Sequence, residues 1–181
     1  MKLKIVKDSN PIMRKRSQPV DMPLSKEDKE LLDNMLDYLK KSQDDDYAKK
    51  HNIRAGVGMA AIQVGVLKRM FVIYYHGMDE QIIQYQLVNP RIIEESIKKC
   101  ALEGGEGCLS VDTDHKGLVH RHFKIVMTAY DALTDRDITI TARGYDAVVL
   151  QHEYDHLDGM FYYDRIDSKN PDKQLLNEEI L

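Results

Sequence analysis

The five residues His152-Glu153-Tyr154-Asp155-His156 constrain this chain more than any other stretch. They read H-E-x-x-H inside an apolar run, from Tyr145 to about Leu157, whose pattern is helical. Residues four apart on a helix share one face, so both imidazoles reach a single metal ion. Glu153 sits one step round, close enough to act on water beside the metal without ligating it. An ordinary solvated helix carries such a pattern only by chance, and two further segments speak against chance.

A chain of 181 residues with ordinary apolar and charged fractions is expected to form one domain, residues 1–181, around a sizeable core. Its net charge of -4 gives no electrostatic case for direct contact with nucleic acid. No apolar run is long enough to span a bilayer, so no membrane partner is expected. The first seven residues interleave lysines with apolar side chains, unlike a secretory signal, and they are not Arg/Ser-rich. The expected location is the cytoplasm, where reducing conditions disfavour a disulfide between Cys100 and Cys108.

Pro11, Pro19 and Pro23 mark residues 1–24 as extended and irregular. Ser25 caps an expected helix from about Lys26 to Lys41, with Asp28 at the third position. Leu31, Leu32, Met35, Leu36 and Leu39 give that helix its apolar stripe. The polar residues from Gln43 to Arg54 read as a helix end and a solvated loop. Strand-like runs follow at Met70–Tyr75 and Ile82–Val88 around a turn at Gly77-Met78-Asp79-Glu80. Arg91 to Cys100, Val119 to Tyr130 and Ile138 to Ala142 continue the sheet. From Asp167 on, the chain reads as a polar, loosely packed tail. The expected fold class is α+β: mostly antiparallel strands packed around a central H-E-x-x-H helix, with an N-terminal helix.

Gly56-Val57-Gly58-Met59-Ala60-Ala61-Ile62-Gln63 is the first further segment. Its small residues let a backbone approach a ligand closely, but it lacks the third glycine of a dinucleotide fingerprint. The second is Glu103-Gly104-Gly105-Glu106-Gly107-Cys108-Leu109-Ser110, where glycines bracket a cysteine in an expected loop. Cys108, His152 and His156 together offer a thiolate and two imidazoles. Catalytic metal sites use three protein ligands and leave the fourth position to water. Such donors suit Zn²⁺ or Fe²⁺, not Mg²⁺ or Ca²⁺. A carboxylate, or one of His115, His120 and His122, is an alternative third ligand, though nothing in sequence orders those histidines for it.

In this order and spacing the three segments resemble those of peptide deformylases: G-x-G-x-A-A-x-Q at Gly56–Gln63, E-G-C-L-S at Glu106–Ser110, and H-E-x-x-H at His152–His156. The similarity extends over nearly the whole chain. Ser42–Arg54 and Cys108–Asp112 resemble the longer, Gram-positive type of that family. One position departs from it, because Ile62 stands where the family usually has proline before the glutamine. Proline would restrict the turn that positions Gln63.

The resemblance implies hydrolysis of the N-formyl group from the initiator methionine of new polypeptides, giving formate and a free amine. It implies one Fe²⁺ per chain on Cys108, His152 and His156, replaceable by Zn²⁺, Ni²⁺ or Co²⁺. Glu153 would be the base, while the Gln63 side-chain amide and the Leu109 backbone N–H would donate to the developing oxyanion. The substrate would lie beside Gly56, Val57 and Gly58 as an added strand. Its methionine would enter an apolar pocket near Val57, Leu109, Val148 and Val149. A monomer is usual for the longer type, and ribosome association fits the timing of the substrate.

Three other readings compete. A metallopeptidase shares the helix but usually completes its site with a downstream Glu or His. A binding protein with a structural metal would close all four positions and leave Glu153 without a task. A nucleophilic Cys108 with a histidine base would leave the His152–His156 spacing unexplained.

Overall fold

The computed structural model describes residues 3–77 and 80–181. Met78 and Asp79, in the expected turn, and the first two residues lie outside them. Helix α1, Lys26–Ser42, starts where Ser25 Oγ accepts from Asp28 N at 3.1 Å. Helix α2, Asp45–His51, replaces part of the expected loop. Asp44 caps it by accepting from Tyr47 N at 2.8 Å, and Asn52 ends it in the left-handed conformation at φ 50°. No residue of α2 is buried, so it has no apolar stripe to betray it in sequence.

The main sheet contains β1 (Gly58–Ala60), β2 (Met70–His76), β3 (Ile82–Glu95), β6 (Lys124–Asp131) and β7 (Arg136–Arg143). They lie in the order β1-β2-β3-β6-β7, all antiparallel. The long β3 tolerates Pro90 because the register shifts between Val88 and Arg91, where Asn89 turns to φ 50°. A second sheet holds β4 (Lys99–Ala101), β5 (Arg121–His122) and β8 (Glu179–Ile180) in the order β5-β4-β8. The expected continuations 91–100 and 119–130 are therefore each divided between two sheets.

Strand β8 corrects the expectation of a loose tail. It pairs parallel with β4, Cys100 opposite Glu179, and the Glu178 side chain is fully buried against His120. The fixed stretch, Glu178 to Leu181, is too short for a periodic signal.

β2 explains why its sequence is apolar without alternation. Phe71, Ile73 and Tyr75 point to a core shared with helix α3, Tyr145–Leu157. Met70 and Val72 point to the opposite face, where Leu32, Met35, Leu36 and Leu39 of α1 cover them. A strand covered on both faces carries apolar residues at every position. Each large side chain so buried contributes about 1.5–3 kcal/mol. Helix α3 packs against β1, β2, β5 and β7, which places its histidines behind the edge strand β1.

Candidate metal centre and active site

Helix α3 brings His152 and His156 to one face, with ring centroids 5.0 Å apart. Cys108 comes from the glycine-bracketed loop, and its Sγ lies 3.3 Å from His156 Nε2. One ligand atom from each of Cys108, His152 and His156 falls within 4.8 Å of the others. They are the only such trio of His, Cys, Asp or Glu among the described residues. His115, His120 and His122 lie elsewhere: His120 meets Glu178, and His122 sits between Lys99, Glu95 and the Ser96 carbonyl. Cys100 and Cys108 are both free thiols.

The electrostatics prepare the trio for a cation. Burial opposes ionisation of Cys108, but His156 and His152 outweigh it and hold the thiol at about 5. The group is therefore a thiolate at neutral pH, the form that ligates metals. His152 Nδ1 meets Glu106 Oε2 at 2.8 Å, which orients the ring and leaves Nε2 to face Cys108. A thiolate with two imidazoles fits a divalent transition metal and leaves one coordination position for a small ligand.

Glu106 is itself fixed. Arg121 donates to its two oxygens from Nε at 2.8 Å and from Nη2 at 2.9 Å. The same guanidinium reaches Asp155 Oδ2 at 2.5 Å, and Arg165 closes a second fork on Asp155 at 2.6 Å. Burial raises a carboxyl, yet Arg121 and His152 overcome it and hold Glu106 at about 2. Sequence reasoning missed Arg121, Asp155 and Arg165 as a unit. Arg121 is 15 residues from Glu106 and 34 from Asp155 in the chain, and Arg165 is 10 from Asp155, all beyond the reach of periodicity.

Glu153 is different. Its Oε2 is buried without a hydrogen-bond partner among the described residues, and burial pushes the carboxyl up to about 7. An orphaned carboxylate beside three metal-type donors is poised to exchange a proton with a bound molecule. Gly58 makes room for it, since a Cβ there would lie 2.3 Å from Glu153 Oε1. Gly56 has the same reason, because a Cβ would lie 2.8 Å from Leu109 Cδ1. The end of α1 holds Gly56 in place. Ser42 Oγ accepts from its N–H at 3.1 Å, and Gln43 Nε2 donates to its carbonyl at 2.9 Å.

Gln63 is anchored despite Ile62. Its Oε1 accepts from Ala60 N at 2.9 Å, and its Nε2 reaches Ser110 Oγ at 3.1 Å and Cys108 Sγ at 3.5 Å. Ile62 is fully buried in the core and holds the turn by packing where proline would hold it by its ring. A cavity of about 210 Å³ collects Gly56, Val57, Gly58, Gln63, Cys108, Leu109, Val148, Val149, His152 and Glu153 on its walls. His156 is buried beneath it, and Leu102 and Tyr145 are walls that sequence reasoning did not name. Gln151 supports the site from behind, bonded to both the N–H and the carbonyl of His122.

The family profile described as Polypeptide deformylase matches residues 2–172. A peptide deformylase of Shouchella clausii is 45% identical over 163 residues, covering 90% of this chain and 88% of the relative. One from Ligilactobacillus salivarius is also 45% identical, over 170 residues covering 92% and 91%. Among solved structures, the peptide deformylase of Thermus thermophilus superposes with a TM-score of 0.74 at 29% identity, covering 94% of this chain and 89% of that one. By sequence and by fold, this chain belongs to the polypeptide deformylase family, metal-dependent hydrolases that remove the N-formyl group from new polypeptides.

Proposed function

We propose that residues 1–181 form one catalytic domain that hydrolyses N-formylmethionyl polypeptides at the Cys108–His152–His156 centre, with Fe²⁺ as the resident metal. The observation that carries the reading is the orphaned Glu153 carboxylate beside the only three-donor cluster among the described residues. When bound, the divalent ion supplies Lewis acidity, polarising the formyl carbonyl and acidifying water. Zn²⁺, Ni²⁺ and Co²⁺ have compatible ligand preferences and substitute for it.

The chain's own groups do the rest. Glu153 takes a proton from the attacking water and delivers it to the departing nitrogen, so the C–N bond breaks to give formate and a free amine. Gln63 Nε2 donates to the oxygen on which charge develops, exchanging its long contact with Cys108 Sγ for that bond. The backbone N–H of Leu109, a residue of the cavity wall, is the second donor. Val148, Val149, Val57 and Leu109 present an apolar wall to the methionine side chain. β1 is an edge strand, so the substrate backbone adds beside Gly56, Val57 and Gly58. Main-chain recognition suits an enzyme that accepts many second residues.

The enzyme works as a cytoplasmic monomer on chains emerging from the ribosome. No helix among the described residues is long and apolar enough to cross a membrane. The test is formate release from formyl-Met-Ala-Ser by protein prepared without oxygen. Cleavage of internal peptide bonds without formate release would overturn the reading in favour of a peptidase.

A further inference from the structure

A second and larger hollow adjoins the site. It measures about 770 Å³ against 210 Å³ for the site cavity. The N-terminal segment, α1, α2 and the loop after Cys108 form its walls. Arg54 and Leu109 line both hollows, so the groove continues the path that leads out past Gly56. Apolar surface comes from Leu3, Ile5, Tyr38, Tyr47 and Ile53.

The groove is basic in an acidic chain. Lys4, Lys7, Lys41 and Arg54 face two carboxylates, Asp37 and Asp112. Both carboxylates are already matched, Lys41 with Asp37 and Lys7 with Asp112, each at 2.6 Å. Lys4 is exposed and has no ion-pair partner among the described residues. Arg54 is tied to the Val111 carbonyl at 2.8 Å and more loosely to Asp114 at 3.3 Å. With Lys7, Lys41 and Arg54 each facing a carboxylate, Lys4 is the wall cation left unmatched among the described residues.

We infer that this groove takes the downstream part of the formylated polypeptide, past the residues held at β1, and favours acidic side chains there. The inference rests on the reaction proposed above. Its occupant is extended peptide because the groove shares Arg54 and Leu109 with the site cavity, and Arg54 is close in sequence to residues 56–58, where the strand would add. Charge attraction on such an exposed wall acts over about a Debye length, so the preference weakens with salt.

The test compares formyl-Met-Ala-Ser with two formylated octapeptides sharing that head, one with a Glu-rich tail and one with a Lys-rich tail. The acidic octapeptide is expected to show a KM about fivefold lower than the basic one at low salt, the scale of one or two exposed ion pairs. The difference should shrink at high salt. Lys4→Glu combined with Lys41→Glu should remove the preference and leave formyl-Met-Ala-Ser unchanged, with folding checked by thermal unfolding. Equal KM values for both octapeptides in the wild-type protein would overturn the inference while the tripeptide rate upholds the reaction. Failure on the tripeptide itself would strike the proposed reaction instead. A variant that changes sedimentation but not octapeptide kinetics would assign the groove to a second copy, and also overturn it.

Discussion

His152 Nδ1 and Glu106 Oε2 stand 2.8 Å apart, and Arg121 donates to both oxygens of the same carboxylate. The relationship reaches from a loop, through one side chain, to a ring on α3. It fixes which nitrogen of His152 is spent on the protein and which one faces Cys108. A carboxylate behind a ligating imidazole both orients the ring and raises its basicity.

Glu106→Ala should therefore weaken metal binding by about 10- to 100-fold, the usual scale for losing such a partner. Competition with a chelator at fixed pH measures it. Unchanged affinity would mean that the fold holds His152 without help.

The same carboxylate makes stability depend on acid. Glu106 is held at about 2 in the folded chain, well below its ordinary value. A lowered carboxylate contributes stability that is complete above its unfolded pKa, about 4.3. That stability is lost as pH falls from there towards 2. Denaturant midpoints of metal-free protein should drop across this window, and Glu106→Gln should flatten the drop. An equal slope in both proteins would place the acid sensitivity elsewhere.

Arg121 is 1% exposed and answers two carboxylates, Glu106 and Asp155. Removing one member of a buried charge cluster leaves the others unmatched. Arg121→Ala should cost about 3–5 kcal/mol of folding stability. A loss below about 1 kcal/mol in equilibrium unfolding would show that water or Arg165 takes over the vacated role.

Gly58→Ala tests the packing around Glu153. The added methyl would meet Glu153 Oε1 at 2.3 Å, so the carboxylate must move. Displacement on the order of an ångström at a reacting group costs about 100-fold in rate. The variant should keep its metal and lose turnover by roughly that factor. A wild-type rate would show that Glu153 shifts without consequence.

The clustering of Cys108, His152 and His156 was legible because it is local or sharply punctuated. His152 and His156 are one helical turn apart, and glycines mark the loop that carries Cys108. Helix α1 was legible through Ser25 and its apolar stripe, and β2 through a run that both cores demand. Helix α2 was not, because it is held by Asp44 and Asn52 and buries nothing. β8 was not, because its pairing is with β4, where Cys100 stands opposite the distant Glu179. The Glu106–Arg121–Asp155–Arg165 network was invisible for the same reason. Its partners meet only after the two sheets and α3 are assembled. Ile62 read as a loss of restraint, yet Gln63 is held by Ala60 and Ser110.

The most direct test of the account is Glu153→Gln, with formate release and metal content read on the same sample. Glutamine keeps the shape of the side chain but does not take up the proton. The expected result is one metal per chain, as in the parent protein, and no formate from formyl-Met-Ala-Ser. Formate release near the parent rate from fully metal-loaded Glu153→Gln would contradict it.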